Sequence, residues 1–135
     1  MILCSNPSEQ FKSYQSEIEL AVSTVMRSKN YILGEQVSLL EEEFAKYIGT
    51  SSAIGVANGT DAIEIALKSL NIGYGDEVIT VSHTAVATVA AIEASGAKAV
   101  LVDIDPNFYT LNPNQLEMVL TKKTKAVIAV HLYGN

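Results

Sequence analysis

Strands and helices alternate along the chain from about residue 51 onwards, and this alternation limits the possible folds more than any other feature. The four predicted strands are apolar on both faces, as parallel strands between layers of helix are. These strands are Ser52–Ala57, Glu77–Ser82, Ala99–Ile104 and Ala126–Leu132. The predicted helices are Asp61–Leu70, Thr84–Ser95 and a short one that Asn112 caps, with Pro113 in its first position and Gln115 three residues past the cap. The pattern predicts an α/β fold with a mostly parallel sheet covered by helices.

The first fifty residues have a different, helical pattern. Apolar side chains recur about one turn apart in two stretches, which predicts helices from about Ser8 to Arg27 and from about Glu35 to Tyr47. Gly49 is a natural stop for the second helix. We therefore divide the chain into an N-terminal helical segment, residues 1–50, and the first part of an α/β domain, residues 51–135.

Composition and charge exclude several classes of protein. The net charge is −6 and there is no basic run, so nucleic acid and anionic membranes are poor candidate partners. Cys4 is the single cysteine, which excludes an internal disulfide and a cysteine-based metal site. The sequence has no apolar stretch of membrane-spanning length and no secretory signal pattern. A cytoplasmic protein is therefore expected.

The stretch "VANGTDAIEIAL" contains the most informative turn in the sequence. A predicted strand ends here and a predicted helix starts at once, and ligands of parallel α/β sheets bind beyond the carboxyl ends of the strands. The first N–H groups of the helix favour a phosphate, Gly59 lets an anion approach, and Thr60 adds a hydroxyl. The alternative is that Thr60 only caps the helix. The turn is not a Walker loop, and it lacks the Gly-x-Gly-x-x-Gly pattern, so a dinucleotide is not indicated.

The sequence around this turn resembles a known family. "NGTDA", "GDEVI", "SHT", "VDIDP" and "VHLYG" follow one another as in the N-terminal third of the DegT/DnrJ/EryC1/StrS sugar aminotransferases. These enzymes use pyridoxal 5'-phosphate (PLP) on the aspartate-aminotransferase fold, fold type I. The resemblance implies that this chain is part of the large, PLP-binding domain. It also implies a homodimer whose active site lies at the subunit interface.

The resemblance assigns residues to the cofactor. Gly59, Thr60 and Asp61 match the turn that wraps the cofactor phosphate. The segment that covers the pyridine ring matches Ser82 to Ala85, with Ala85 where many members have an aromatic residue. His83 is then the nearby flat ring, and its alternative role is a strand-end histidine bonded to the backbone.

The resemblance also assigns residues to the substrate. The "YILG" stretch matches the mouth of the active site, so Tyr31 and Gly34 are expected to border the sugar. The alternative is a loop that anchors two helices.

The resemblance implies that the catalytic groups lie elsewhere. PLP chemistry needs a lysine for the Schiff base and a carboxylate at the pyridine nitrogen. In the family both lie beyond the stretch that this chain matches, and Lys122, Lys123 and Lys125 are expected to be solvated. We therefore expect a fragment with no catalytic residue of its own. The intact enzyme would move an amino group, from glutamate as the expected donor, to a keto group of a nucleotide-linked deoxysugar.

The resemblance also predicts how the strands pair. Only Glu77–Ser82 and Ala99–Ile104 are expected to be neighbours, with the first and last strands separated from them by strands outside this chain. Exposed sheet edges would then favour association of the fragment with other chains.

Two other functions remain open at this point. Asp103 and Asp105 form an Asp-x-Asp at a strand end, which in nucleotide-sugar transferases can hold a divalent metal. The other possibility is a non-catalytic remnant that binds phosphate.

Overall fold

The computed structural model describes residues 4–135, which form two compact units. The first unit extends to Gly55 and the second runs from Val56 to Asn135. The division into residues 1–50 and 51–135 concerns domains of an intact protein and stays a prediction.

Three helices make up the regular structure of the first unit: α1 (Pro7–Ser13), α2 (Gln15–Ser28) and α3 (Glu35–Ile48). The expectation of one continuous helix from Ser8 to Arg27 was wrong, because Tyr14 leaves the helical conformation at φ −122 and ψ 14. The Ser13 hydroxyl donates to the Glu9 carbonyl at 3.0 Å, which competes with continued helical pairing. Neither α1 nor α2 has a buried residue, so packing does not hold them straight.

The third helix was predicted almost to the residue. It starts after Gly34 and ends before Gly49, which takes the left-handed φ of 82° that favours glycine. Ala45 is its buried residue.

No strand forms at Ser52–Ala57, so this prediction was wrong. Among the described residues no strand lies beside this segment, and an unpaired strand leaves its amides without acceptors. The Gly55 amide instead donates to the Glu41 carboxylate of α3 at 2.7 Å. Ile54 is 81% exposed, as expected for a segment outside any core.

The second unit has the predicted alternation of elements, with ends that differ from the predictions by a few residues. In chain order these are α4 (Gly59–Ser69), β1 (Glu77–Val81), α5 (Val86–Ala94), β2 (Lys98–Val102), α6 (Pro113–Val119) and β3 (Thr124–Val127). Asn112 caps α6 as predicted, accepting from the Asn114 amide. Gln115 does not close a capping box, because its side-chain oxygen accepts from the Asp103 amide at the end of β2.

The three strands form a parallel sheet in the order β2-β1-β3. In register, Val78 of β1 pairs with Ala99 on one side and with Ala126 on the other. The expectation that the last strand would be separated from β1 was therefore wrong. The buried β1 is paired on both edges, and the Thr80 hydroxyl also donates to the Ile128 carbonyl, 3.2 Å away.

Helices cover both faces of the sheet. Val78 packs in one apolar cluster with Leu67 of α4 and Ile92 of α5. The next residue, Ile79, packs in a second cluster with Leu116 of α6. Successive residues of a strand point to opposite faces, so α4 and α5 lie on one face and α6 on the other. The predicted parallel sheet between helical layers is confirmed.

Candidate cofactor site

The helices α4 and α5 point their N-termini toward the carboxyl ends of the strands. Leu67, near the end of α4, packs with Val78 at the start of β1. The turns that follow the two helices also meet, since a Cβ on Gly73 would lie 3.2 Å from the Ser95 carbonyl oxygen. The C-terminal halves of both helices therefore lie at the start of the sheet, and their N-termini lie at the edge where ligands of such folds bind.

The N-terminus of α4 has two unused N–H groups. Asn58 is the cap, and its side-chain oxygen accepts from the Asp61 amide at 2.9 Å. The Asn58 amide nitrogen also donates to the Asp61 carboxylate at 3.2 Å. No described residue accepts from the N–H of Gly59 or Thr60. The turn thus offers two backbone donors at the positive end of a helix dipole.

The space beside Gly59 is open, so a small anion can approach the backbone there. A Cβ built on Gly59 would meet no atom within 4 Å, and its φ is not left-handed. The glycine is therefore not required by backbone strain, and its missing side chain keeps the approach to the N–H groups open. Thr60 is half-buried and is not the helix cap, which corrects the alternative role that the sequence left open. The Asp61 amide is already engaged by Asn58, so Asp61 contributes to the shape of the turn.

His83 follows β1 at this same edge and contacts a side chain, not the backbone. Its Nε2 lies 3.0 Å from the Tyr133 hydroxyl, and the two rings are 5.8 Å apart. Tyr109 packs edge-on against Tyr133, also at 5.8 Å. Sequence reasoning missed both tyrosines. The available signal was that each lies in a loop that follows a predicted strand.

The segment after His83 leads directly into α5. Ala85 precedes the helix in an extended conformation. Thr88 is buried, and its hydroxyl lies 2.8 Å from that of Thr84. This pair fixes the first turn of α5 relative to the loop after β1.

The two aspartates of the metal hypothesis have other partners. Asp105 Oδ1 accepts from the amides of Asn107 and Phe108, at 2.8 and 3.3 Å. Asp103 accepts from the Ser82 hydroxyl at 3.3 Å. Within residues 4–135, no three His, Cys, Asp or Glu side chains are arranged to hold a metal ion. Both carboxylates hold loops at the strand ends.

Tyr31 and Gly34 lie in the first unit and line a cavity of about 380 Å³. The Tyr31 hydroxyl donates to the Met26 carbonyl at 3.0 Å. Gly34 is buried, and a Cβ there would lie 3.0 Å from the Asn30 carbonyl oxygen. These contacts give both residues a role in the turn between α2 and α3. Their predicted contact with substrate stays a prediction.

Other side chains behave as the sequence predicted. Lys122, Lys123 and Lys125 are all exposed. In the described part of the chain, every helix is too short or too polar to cross a bilayer.

A family model decides the classification. The model of the DegT/DnrJ/EryC1/StrS aminotransferase family matches residues 12–135. The chain belongs to this family. The aminotransferases of the family are PLP-dependent.

Two curated relatives show how much of a family member this chain represents. The chain is 48% identical over 127 residues to the pleiotropic regulatory protein of Geobacillus stearothermophilus, covering 94% of this chain and 34% of the relative. It is 47% identical over 121 residues to dTDP-3-amino-3,6-dideoxy-alpha-D-galactopyranose transaminase of Aneurinibacillus thermoaerophilus, covering 90% and 33%. The chain therefore spans about a third of the length of these relatives.

A solved structure shows the same fold. The chain superposes on S. venezuelae DesV, determined in complex with a ketimine intermediate, with a TM-score of 0.93 and 39% identity. The match covers 96% of this chain and 35% of DesV. The chain therefore has the fold of the matching third of DesV.

Proposed function

We propose that this chain supplies the phosphate-binding part of a PLP-dependent aminotransferase that acts on a nucleotide-linked keto deoxysugar. The observation that carries the proposal is the N-terminus of α4, where the N–H groups of Gly59 and Thr60 have no acceptor among residues 4–135 and the space beside Gly59 is open. A phosphate dianion is the ligand that such a helix end favours most.

Each predicted cofactor residue has a distinct task in this proposal. Gly59 and Thr60 donate their backbone N–H groups to the phosphate, and Thr60 adds its hydroxyl. Asp61, tied to Asn58, keeps the turn in shape. His83 presents a ring face at the same edge of the sheet. Bound PLP supplies an electron-withdrawing ring that stabilises negative charge on the carbon from which a proton is removed.

The names of the relatives support a substrate class. A relative named as a transaminase of a dTDP-linked 3-amino-3,6-dideoxysugar is 47% identical to this chain. We propose the same substrate class, with glutamate as the amino donor and with Tyr31 and Gly34 bordering the sugar. The proposal also includes a cytoplasmic homodimer.

A label-transfer assay tests the proposal. The protein, expressed from the complete gene, is incubated with PLP, ¹⁵N-glutamate and a dTDP-linked keto deoxysugar, and the sugar is analysed by mass spectrometry. We expect ¹⁵N in the sugar. Failure to transfer label to any nucleotide-linked keto sugar, with PLP bound, would contradict the assigned activity.

Matched variants test the residues. Gly59→Val fills the open space beside the two N–H groups and should weaken PLP binding roughly tenfold or more, since charge-assisted hydrogen bonds are lost. Ala62→Val places the same valine side chain at an exposed position of the same helix and should leave binding unchanged. Equal effects of the two variants would contradict the phosphate assignment.

A further inference from the structure

Three rings from three loops meet at the carboxyl edge of the sheet. His83 follows β1, Tyr109 lies beyond β2, and Tyr133 lies beyond β3. The His83–Tyr133 and Tyr133–Tyr109 ring centroids are each 5.8 Å apart. We call these three residues the edge aromatic cluster.

The hydrogen bond between His83 and Tyr133 has a preferred direction. A phenol is a better proton donor than a neutral imidazole, and the Nε2 lone pair is a good acceptor. The Tyr133 hydroxyl, 3.0 Å from Nε2, therefore donates. His83 must then carry its proton on Nδ1, since a neutral imidazole has one N–H. Because a hydrogen bond to a ring nitrogen lies in the ring plane, this bond itself covers neither face of the His83 ring.

The edge aromatic cluster is not part of the hydrophobic core. Tyr109 is 52% exposed, Tyr133 is 67% exposed, and His83 is exposed as well. Hydrogen bonds in such positions add little to the stability of a fold, because water replaces them readily. Their effect is instead to restrict which way the imidazole ring turns.

The backbone at Tyr109 also points to a use beyond stability. Tyr109 takes a φ of 58°, a left-handed conformation that is unfavourable for a non-glycine residue. Its amide donates to the Asp105 carbonyl at 2.8 Å, and the Asp105 side chain holds the rest of the loop. Backbone of this kind clusters at binding sites, where surrounding contacts hold it in place.

We propose that Tyr133 is a positioning residue for His83. Its hydroxyl holds the imidazole as the Nδ1–H tautomer and fixes the plane of the ring face that is offered to the cofactor, while Tyr109 buttresses the Tyr133 ring. The part of this inference that concerns the cofactor rests on the proposed function. The part that concerns the tautomer of His83 rests on the geometry of the edge aromatic cluster.

Two tyrosine-to-phenylalanine variants separate the hydrogen bond from ring packing. Tyr133→Phe keeps the ring contacts but removes the donor to His83. Tyr109→Phe is the matched control, since no described residue contacts its hydroxyl through a hydrogen bond. The tautomer of His83 is measured in each full-chain variant by long-range ¹H–¹⁵N correlation NMR in alkaline buffer.

The chain contains its own reference for this measurement. It has two histidines, and Nδ1 of His131 lies 2.7 Å from the main-chain oxygen of Asn135. A main-chain oxygen only accepts, so His131 should be the Nδ1–H tautomer in every variant.

Binding is measured with pyridoxamine 5'-phosphate, which has no aldehyde to react with exposed lysines. We expect Tyr133→Phe to shift His83 toward the Nε2–H tautomer. The variant should also bind pyridoxamine 5'-phosphate roughly three- to tenfold more weakly, the effect of one lost hydrogen bond. Tyr109→Phe should not change the His83 tautomer or the binding affinity by a comparable amount.

The outcomes separate this inference from the proposed function. An unchanged His83 tautomer in Tyr133→Phe, or a changed tautomer with unchanged affinity, would overturn the positioning role. If the unaltered chain bound no pyridoxamine phosphate, the cofactor assignment would fail, and the ring-nitrogen shifts alone would then decide whether Tyr133 positions His83.

Discussion

Gly34 and Gly59 lack a side chain for opposite reasons. Gly34 is buried against the Asn30 carbonyl, where a Cβ would be 3.0 Å from the oxygen. Gly59 faces open space at the start of α4. The first glycine is needed by the fold, whereas the second is needed only if a ligand approaches.

Alanine at the two positions should therefore have different effects on stability. Gly34→Ala forces a backbone neighbour to move and should lower the free energy of unfolding by about 1–3 kcal/mol. Gly59→Ala should change it by less than about 1 kcal/mol, because helical backbone tolerates alanine. Urea unfolding followed by circular dichroism measures both. A loss at Gly59 as large as that at Gly34 would show that the space beside Gly59 is not free.

At this scale the sequence predicted the position of the turn but not its hydrogen bonds. No described residue accepts from the N–H groups of Gly59 and Thr60, as the helix-end reasoning predicted, whereas the cap is Asn58, not Thr60. The partner of His83 lies 50 residues away in Tyr133. No local pattern predicts such a contact, because it depends on which strands become neighbours.

Among the elements, buried strands and capped helices were predictable and strand partners were not. Apolar runs and Pro, Asn or Gly signals located β1, α3 and α6 because these signals act locally. Ser52–Ala57 has a strand-like composition, yet composition cannot supply a neighbouring strand. The α1–α2 break at Tyr14 was missed because the apolar spacing continues through it.

The anchoring of residues 52–57 can be tested by amide exchange. Among the described hydrogen bonds, one is donated by an amide of this segment: the Gly55 amide donates to the Glu41 carboxylate at 2.7 Å. Glu41→Ala should speed exchange at Gly55 about tenfold or more, since a hydrogen bond to a charged group is lost. Glu42→Ala, at an exposed neighbouring position, should not. Protection of alternate amides through the segment would instead indicate a strand.

At the scale of the whole molecule, the parallel α/β class followed from the alternation of elements, and the order β2-β1-β3 did not. The strands β2 and β3 lie on opposite edges of β1, and local sequence does not say which edge each strand takes. The family match over residues 12–135 shows that the chain belongs to the DegT/DnrJ/EryC1/StrS aminotransferase family, and the superposition on DesV at a TM-score of 0.93 shows the same fold.

The central claim is that the start of α4 is the phosphate site, and an NMR titration tests it most directly. The ¹⁵N-labelled chain is titrated with pyridoxamine 5'-phosphate, and Gly59→Val and Ala62→Val are titrated in parallel. We predict that the largest amide shifts occur at Gly59 and Thr60, that Ala62→Val retains them and that Gly59→Val loses them. Shifts of equal size at the N-terminus of α6, or none at Gly59 and Thr60, would contradict the account.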